Sequence, residues 1–187
     1  MKLLRQIQIM QWLNEPLEWN IQHDTIKVIS ESNTDFWRIT HYDFIRDSGH
    51  FYYQQIIGNF VAKVKVSGDY QDLYDQAGLM VRLNKTTWLK CGIELVEEVQ
   101  QISAVVTRDY SDWSIVPMPD NPSAIWLRVT RKGSAIEIYY SLDDREYTML
   151  RMAYLTSVEA IDVGIMCASP KGKGFSTTFE QLEIQYT

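Results

Sequence analysis

Apolar and polar residues change places in short runs along the whole chain, and turn-forming residues break the runs at close intervals. Strand-like runs, many with a two-residue period, occur at 25–30, 36–40, 51–57, 59–66, 77–83, 87–95, 101–107, 125–131, 135–141, 147–151, 161–168 and 175–186. Between them stand Asp47-Ser48-Gly49, Ser67-Gly68-Asp69, Asn84-Lys85-Thr86, Arg131-Lys132-Gly133, Asp143-Asp144 and Pro170-Lys171-Gly172. These residue types accept or pre-set turn dihedrals. Arg151 to Ala160 alone reads as a short helix. Pro117-Met118-Pro119-Asp120-Asn121-Pro122 is the strongest breaker, yet strands resume directly after it, so it predicts a loop and not a domain boundary. The first 24 residues, with Trp12, Pro16 and Trp19, read as a lead-in that docks aromatic anchors. The pattern predicts an all-β chain, a two-sheet antiparallel sandwich forming a single domain over residues 1–187.

The sharpest pattern lies at the centre. Gln76 to Arg82 and Trp88 to Glu94 read as the arms of a hairpin closed at Asn84-Lys85-Thr86. Leu79, Val81, Leu89, Cys91 and Ile93 fall on one face, and Met80, Arg82, Trp88, Lys90 and Glu94 on the other. The turn sets Arg82 opposite Trp88, Met80 opposite Lys90, Gly78 opposite Gly92 and Gln76 opposite Glu94. A one-residue slip would drive Lys90 and Glu94 into the core. The next strand, Ile102 to Thr107, adds Ala104 and Val106 to the core and lays Ser103, Val105 and Thr107 beside Glu94, Gly92 and Lys90. Paired glycines would leave a bare floor, since a strand glycine often marks close approach by a ligand or another backbone. Arg128, Glu137 and Tyr139 are expected to join this surface from later strands. Such a face suits a sugar, whose ring stacks on Trp or Tyr while its hydroxyls bond Glu, Gln and Arg. An ordinary solvated sheet face carries the same residue types, with opposite charges across strands worth ~0.2–1 kcal/mol per pair.

Composition narrows the partners. The 187 residues are 45% hydrophobic and 12% aromatic, which supports a sizeable core and excludes disorder. A net charge of -6, with a pI of about 5.1, repels phosphate backbones and anionic lipid, so neither nucleic acid nor a membrane is an expected partner. Met1 to Gln11 starts like a signal peptide, but Arg5, Gln6 and Gln8 interrupt its apolar stretch. No segment approaches the ~18 apolar residues of a bilayer span, and a cytoplasmic location is expected. Cys91 and Cys167 read as buried free thiols.

The chain also resembles a known family. The resemblance rests on Asp35-Phe36-Trp37-Arg38 with Thr40, on Tyr42-Asp43-Phe44 through Asp47-Ser48-Gly49-His50, and on Tyr74-Asp75-Gln76-Ala77-Gly78-Leu79-Met80. Further along it rests on Trp88-Leu89-Lys90-Cys91-Gly92-Ile93-Glu94, Ser103-Ala104-Val105-Val106-Thr107, Ser111-Asp112-Trp113-Ser114 and Val163-Gly164-Ile165-Met166-Cys167-Ala168-Ser169-Pro170. These motifs are similar to those of the family that includes the fungal regulator-of-enolase protein, many of whose bacterial members are known only as a domain of unknown function. The resemblance covers nearly the whole chain. It implies a concanavalin A-like jelly roll of the lectin/glucanase kind and no particular activity.

Three functions follow as expectations. The first is non-catalytic binding of a carbohydrate or similar polyhydroxylated ligand. Its candidate residues are Trp88 for stacking, Gln76 and Glu94 for hydroxyls, Arg82 and Lys90 for bonds or anions, with Thr107 and Trp113 nearby. The second is a regulatory module with a protein partner. The third is a glycoside-active enzyme, which needs two convergent carboxylates, here Glu94 with Asp75 or Glu137. The Glu-x-Asp-x-x-Glu strand motif of related glucanases is missing, and Glu94 and Glu97 would point to opposite faces. Trp37, Trp126 and Trp19 read as core or sheet anchors, and Ser111-Asp112-Trp113-Ser114 as a capped turn. His41, Asp43, Asp47 and His50 are of metal-ligand type, but His41 and Asp43 would have to converge with residues past a turn, and the Asp47-Ser48-Gly49 turn accounts for Asp47 by itself; Asp69, Asp72 and Asp75 or Asp120 and Asn121 are of calcium-loop type, and no metal or cofactor is expected.

Overall fold

The computed structural model describes residues 9–187. Met1 to Gln8, the start of the segment read for a signal peptide, lie outside the described residues. The strands in chain order are β1 (Gln11–Leu13), β2 (Glu18–Gln22), β3 (Thr25–Ile29), β4 (Phe36–Arg38), β5 (Ile45–Asp47), β6 (His50–Ile57), β7 (Phe60–Gly68) and β8 (Gln76–Asn84). They continue as β9 (Thr87–Val96), β10 (Val99–Arg108), β11 (Tyr110–Met118), β12 (Ile125–Lys132), β13 (Ala135–Ser141), β14 (Thr148–Tyr154), β15 (Ala160–Ala168) and β16 (Ser176–Tyr186). A front sheet has the order β1-β6-β15-β8-β9-β10-β11, and a back sheet the order β14-β13-β12-β7-β16-β3-β2. The strands of β4 and β5 pair only with each other. The fold is an all-β jelly-roll sandwich, and no helix of the described residues is long and apolar enough to cross a membrane.

The inward side chains of both sheets make the main core, among them Phe60, Val64, Leu79, Leu89, Ile102, Leu127, Ile165 and Phe179. Cys91 and Cys167 are buried in it as free thiols, their pKa pushed up by burial, Cys91 to about 12. The front sheet is buried on its other face as well. Phe36, Phe51, Met80, Trp88, Val105 and Met166 form a second cluster there, capped by the β4–β5 hairpin. Strands β8 to β10 are therefore buried along nearly every residue, and the polar face expected at the surface is an interior.

The central register holds as read: Gln76, Gly78, Met80 and Arg82 face Glu94, Gly92, Lys90 and Trp88. The third strand is placed differently. Ser103, Val105 and Thr107 face Gly92, Lys90 and Trp88, because β9 runs on to Val96 and turns over Glu97 and Glu98 alone. Both have positive φ, 51° and 66°, as a two-residue hairpin turn of matching twist requires.

Several expectations fail outright. Arg151 to Ala160 forms no helix; β14 runs to Tyr154 as the edge of the back sheet. Ser111 to Ser114 is no turn but the middle of β11, the edge of the front sheet. Strands β1, β2 and β5 were not anticipated, although the lead-in does dock its aromatics, with Trp12 packing on Trp19 and Tyr52 at ring separations of 5.3 and 4.8 Å. Arg128, Glu137 and Tyr139 belong to β12 and β13 of the back sheet and never meet the front face. Trp126 is half-buried on the outside of that sheet, its ring under the Lys63 ammonium at 5.0 Å.

Gly78 and Gly92 face backbone and not an open floor. A Cβ on Gly78 would lie 1.9 Å from the Cys91 carbonyl oxygen, and one on Gly92 would lie 2.0 Å from that of Ala77. Since backbone cannot swing aside as a flexible side chain can, Gly78→Ala should lower the unfolding free energy by about 2 kcal/mol, the usual cost of overpacking a core. Urea denaturation checks this, and an unchanged midpoint would contradict the close strand approach.

Candidate functional site

The β4–β5 hairpin is too short to stand alone, so its position is set by polar anchors to the front sheet. Lys90 is 4% exposed, and its Nζ donates to the Phe36 carbonyl oxygen at 2.7 Å, to Gln76 Oε1 at 2.6 Å and, more weakly, to Asp35 Oδ1 at 3.5 Å. Arg82 grips Asp47 with both terminal nitrogens, at 2.7 and 2.8 Å. The Arg38 amide donates to Ser111 Oγ at 2.9 Å, and Arg38 Nε to the Asp109 carbonyl at 3.0 Å. Asn14 Nδ2 ties the other flank, donating to the carbonyls of Asp47 and Gly49, each at 2.9 Å.

The loop between β4 and β5 is strained. Ile39, His41 and Asp43 have φ of 62°, 68° and 53°, and Tyr74, across from them, has 70°. Positive φ is costly for any residue with a Cβ and most unusual for a β-branched one such as Ile39. Strained residues persist where surrounding contacts over-determine them, and they concentrate at binding and catalytic sites.

Tyr74 lines a cavity of about 90 Å³ between hairpin and sheet, and His41 and Asp43 flank Tyr42, which lines it too. One water needs ~10–15 Å³ on this measure, so the space takes several waters or one small ring. Trp37, Tyr42, Phe44, Tyr74 and Trp113 form its walls, and Gln76, Lys90 and Glu94 its floor, with Asp35 beside them. Tyr42 and Phe44 stack at 5.3 Å, while Trp113 meets both Trp37 and Tyr74 edge-on, at 6.5 and 6.3 Å. The hydroxyls of Tyr42 and Tyr74 bond at 3.0 Å and clasp the loop to the sheet. That bond and burial push the Tyr74 phenol up to about 12. Asn33, Arg46, Pro170 and Lys171 complete the rim.

Glu94 is the buried acid of the floor. Its Oε2 accepts from Ser103 Oγ at 2.7 Å and Trp113 Nε1 at 3.0 Å. Burial raises its pKa more than anything else, and Asp35 adds to that; the Lys90 charge and the two hydrogen bonds pull the other way. The net effect is upward, so the folded protein holds the Glu94 proton more tightly than an exposed carboxyl would.

Of the residues singled out in the sequence, Gln76, Lys90, Glu94 and Trp113 come together here. Trp88 does not. Its ring is fully buried, 6.1 Å from that of Phe36 and 5.8 Å from the Lys90 ammonium, so it props the hairpin from below and has no face for a ligand. Arg82 is spent on Asp47, and Thr107, fully buried, bonds Ser111 Oγ at 2.9 Å. Asp75 is fully buried too, accepting from the amides of Gln71 and Asp72 and from Ser169 Oγ, the last at 2.6 Å. Glu137 lies on the back sheet with Tyr139 and Lys132. The pairs expected for an enzyme, Glu94 with Asp75 or Glu137, are therefore not assembled; the carboxylate in the pocket beside Glu94 is Asp35. Asp35, Trp37, Tyr42, Phe44 and Tyr74 stand in the motifs that carry the family resemblance but were not read as site residues, and Trp37 was read as core.

No group of three or more His, Cys, Asp or Glu among the described residues is placed to hold a metal. His50 Nε2 accepts from the Glu31 amide at 3.0 Å, so its Nδ1 donates to the Asn14 carbonyl at 2.6 Å, and Asp47 is held by Arg82. Asn121 instead closes the end of β10, accepting from the Gln100 amide at 2.7 Å.

Two measurements follow. Lys90→Met would leave the Phe36 carbonyl, Gln76 and Asp35 without their buried partner; unfolding free energy should fall by about 3 kcal/mol, with faster amide exchange at the hairpin than in the back sheet. A uniform change across both sheets would count against Lys90 as the hairpin's anchor. Burial favours neutral Glu94 in the folded state only, so its stabilising effect is full below its ordinary value of 4.5 and is lost as pH rises through the raised value. Relative to Glu94→Gln, the wild type should therefore lose stability from acid toward neutral pH and then level off. Urea titrations across that range check the sign, and a constant difference would contradict it.

The comparisons with known proteins bear on this site only through its family and fold. The chain is similar to "Regulation of enolase protein 1" of Saccharomyces cerevisiae, 38% identical over 173 residues, which is 92% of this chain and 87% of the relative. It is also similar to a crystal structure described as a functionally unknown protein from Saccharomyces cerevisiae, with a TM-score of 0.92 and 36% identity, covering 95% of this chain and 96% of that one. A GH43 protein from Bacillus licheniformis matches with a TM-score of 0.68 and 16% identity over 95% of this chain and 37% of its own, a likeness of fold alone. With its model matching residues 12–187, the chain belongs to the family described as a protein of unknown function, DUF1349.

Proposed function

We propose that this protein binds, without catalysis, a single saccharide unit or a polyhydroxylated ligand of that size in the cavity under the hairpin. The observation that carries this reading is the meeting of aromatic walls, from Trp37, Tyr42, Tyr74 and Trp113, with the buried polar floor of Gln76, Lys90 and Glu94. An apolar liner would suit a hydrophobic ligand and an all-polar one an ion; sugars need both, a ring face to stack on and donors and acceptors for hydroxyls. A cavity of about 90 Å³ limits the bound part to one small ring. Fold kinship with a GH43 structure is a prior and no more. Catalysis is disfavoured because the pocket's two carboxyls are already engaged, Asp35 by Lys90 and its neighbouring amide of Phe36, Glu94 by Ser103 and Trp113. The name of the yeast relative supports a second reading, a regulatory module that engages a protein.

Calorimetric titration with a panel of monosaccharides tests the first reading. Saturable binding should weaken roughly 10-fold in Trp113→Ala, which removes one stacking wall and its bond to Glu94. No binding of any sugar by the folded wild type would overturn saccharide recognition and move attention to a protein partner.

A further inference from the structure

The charge at the mouth of the pocket runs against the charge of the chain. The protein as a whole carries -6, yet two of the four rim residues are Arg46 and Lys171. Both are exposed, and neither forms an ion pair with a carboxylate among the described residues. The floor does not cancel them. Lys90 is matched by Asp35, and the remaining acid, Glu94, is pushed by burial toward its neutral form.

Arg46 is also positioned. It stands directly across the hairpin from Trp37, and opposed residues of an antiparallel pair share a face. Its guanidinium carbon lies 5.1 Å from the centre of the Phe44 ring, which is itself stacked on Tyr42. Stacking holds the guanidinium plane without spending its N–H groups. An Arg braced on a ring, with a free donor fork, fits a planar carboxylate or a phosphate.

We infer that the ligand of this pocket is an anionic monosaccharide, its ring between the aromatic walls and its carboxylate or phosphate at the rim between Arg46 and Lys171. This rests on the saccharide reading above and adds the charge. The two sources of the anion differ in shape, a uronate bearing a planar group on the ring and a sugar phosphate a tetrahedral one, so both are tested.

The experiment titrates the full chain with glucose, glucuronate, glucose 6-phosphate and inorganic phosphate, in wild type and in Arg46→Gln/Lys171→Gln. At least one anionic sugar should bind roughly 10-fold or more tightly than glucose, the worth of one charge-assisted contact. That preference should shrink to within about 2-fold in the double variant and weaken as salt rises from about 0.05 to about 0.5 M. Both substituted residues are exposed, and an unchanged thermal midpoint would show that folding is not the cause of any loss. Glucose bound as tightly as its anionic forms would overturn the charge inference and leave saccharide binding standing. Inorganic phosphate bound as tightly as the sugars would overturn it as well, as a bare anion site. Failure of all three sugars would overturn the charge inference, and failure of the whole monosaccharide panel would overturn the saccharide reading with it.

Discussion

The structure turns on one buried cation. Lys90 sits on β9 with 4% of its surface exposed, and an ammonium so desolvated must have its donors met or it costs several kcal/mol. The sheet supplies only one acceptor, Gln76 Oε1 on the neighbouring strand; the others, the Phe36 carbonyl and Asp35, come from the start of the β4 hairpin. The hairpin is thus held where it is by the needs of a side chain beneath it. Its arrival covers Trp88, Met80 and Val105 with Phe36, turning the outer face of the front sheet into a second core. It also carries Trp37, Tyr42, Phe44 and Arg46 to the edge of that core, where a cavity is left.

The alternation of the chain made the sheets legible, and a side-chain period of two made the β8–β9 register nearly inescapable. It could not show that both faces of those strands are interior. The unusual company of Trp88, Lys90, Arg82 and Glu94 was a correct alarm with the wrong cause: they are mixed because one cation, one ion pair and one ring support a cover built from residues 35 to 54 positions earlier. Nothing within β9 records that distance. Trp113 was picked out from a supposed turn, but it owes its place in the pocket to β11, which Asp112 and Pro117 disguise; an edge strand tolerates both because one side of its backbone has no partner. The sequence Thr-Met-Leu-Arg-Met-Ala-Tyr of β14 is rich in good helix formers, and pairing with β13 overrides them. Tyr42 and Phe44 lie in the loop of residues 39–44 and Tyr74 just before β8, where the backbone leaves every regular period.

That irregular backbone shapes how the pocket works. Residues at positive φ cost of order 1–3 kcal/mol each, and Ile39, His41 and Asp43 in the loop and Tyr74 in the cavity wall are held only because neighbouring contacts insist on it. Trp37 Nε1 donates to the Thr40 carbonyl at 2.9 Å, the Asp43 amide to that of Ile39 at 2.8 Å, and the Tyr42 and Tyr74 hydroxyls bond across the gap. The ordering cost of the walls is met during folding, so a ligand entering them has less to offset from its own contacts. The rings brace one another as well: Tyr42 meets Trp37 edge-on at 5.8 Å and stacks on Phe44 at 5.3 Å. The anchor on Lys90, the cover of Phe36 and the strained loop form one chain of dependence, in which each step is the condition for the next.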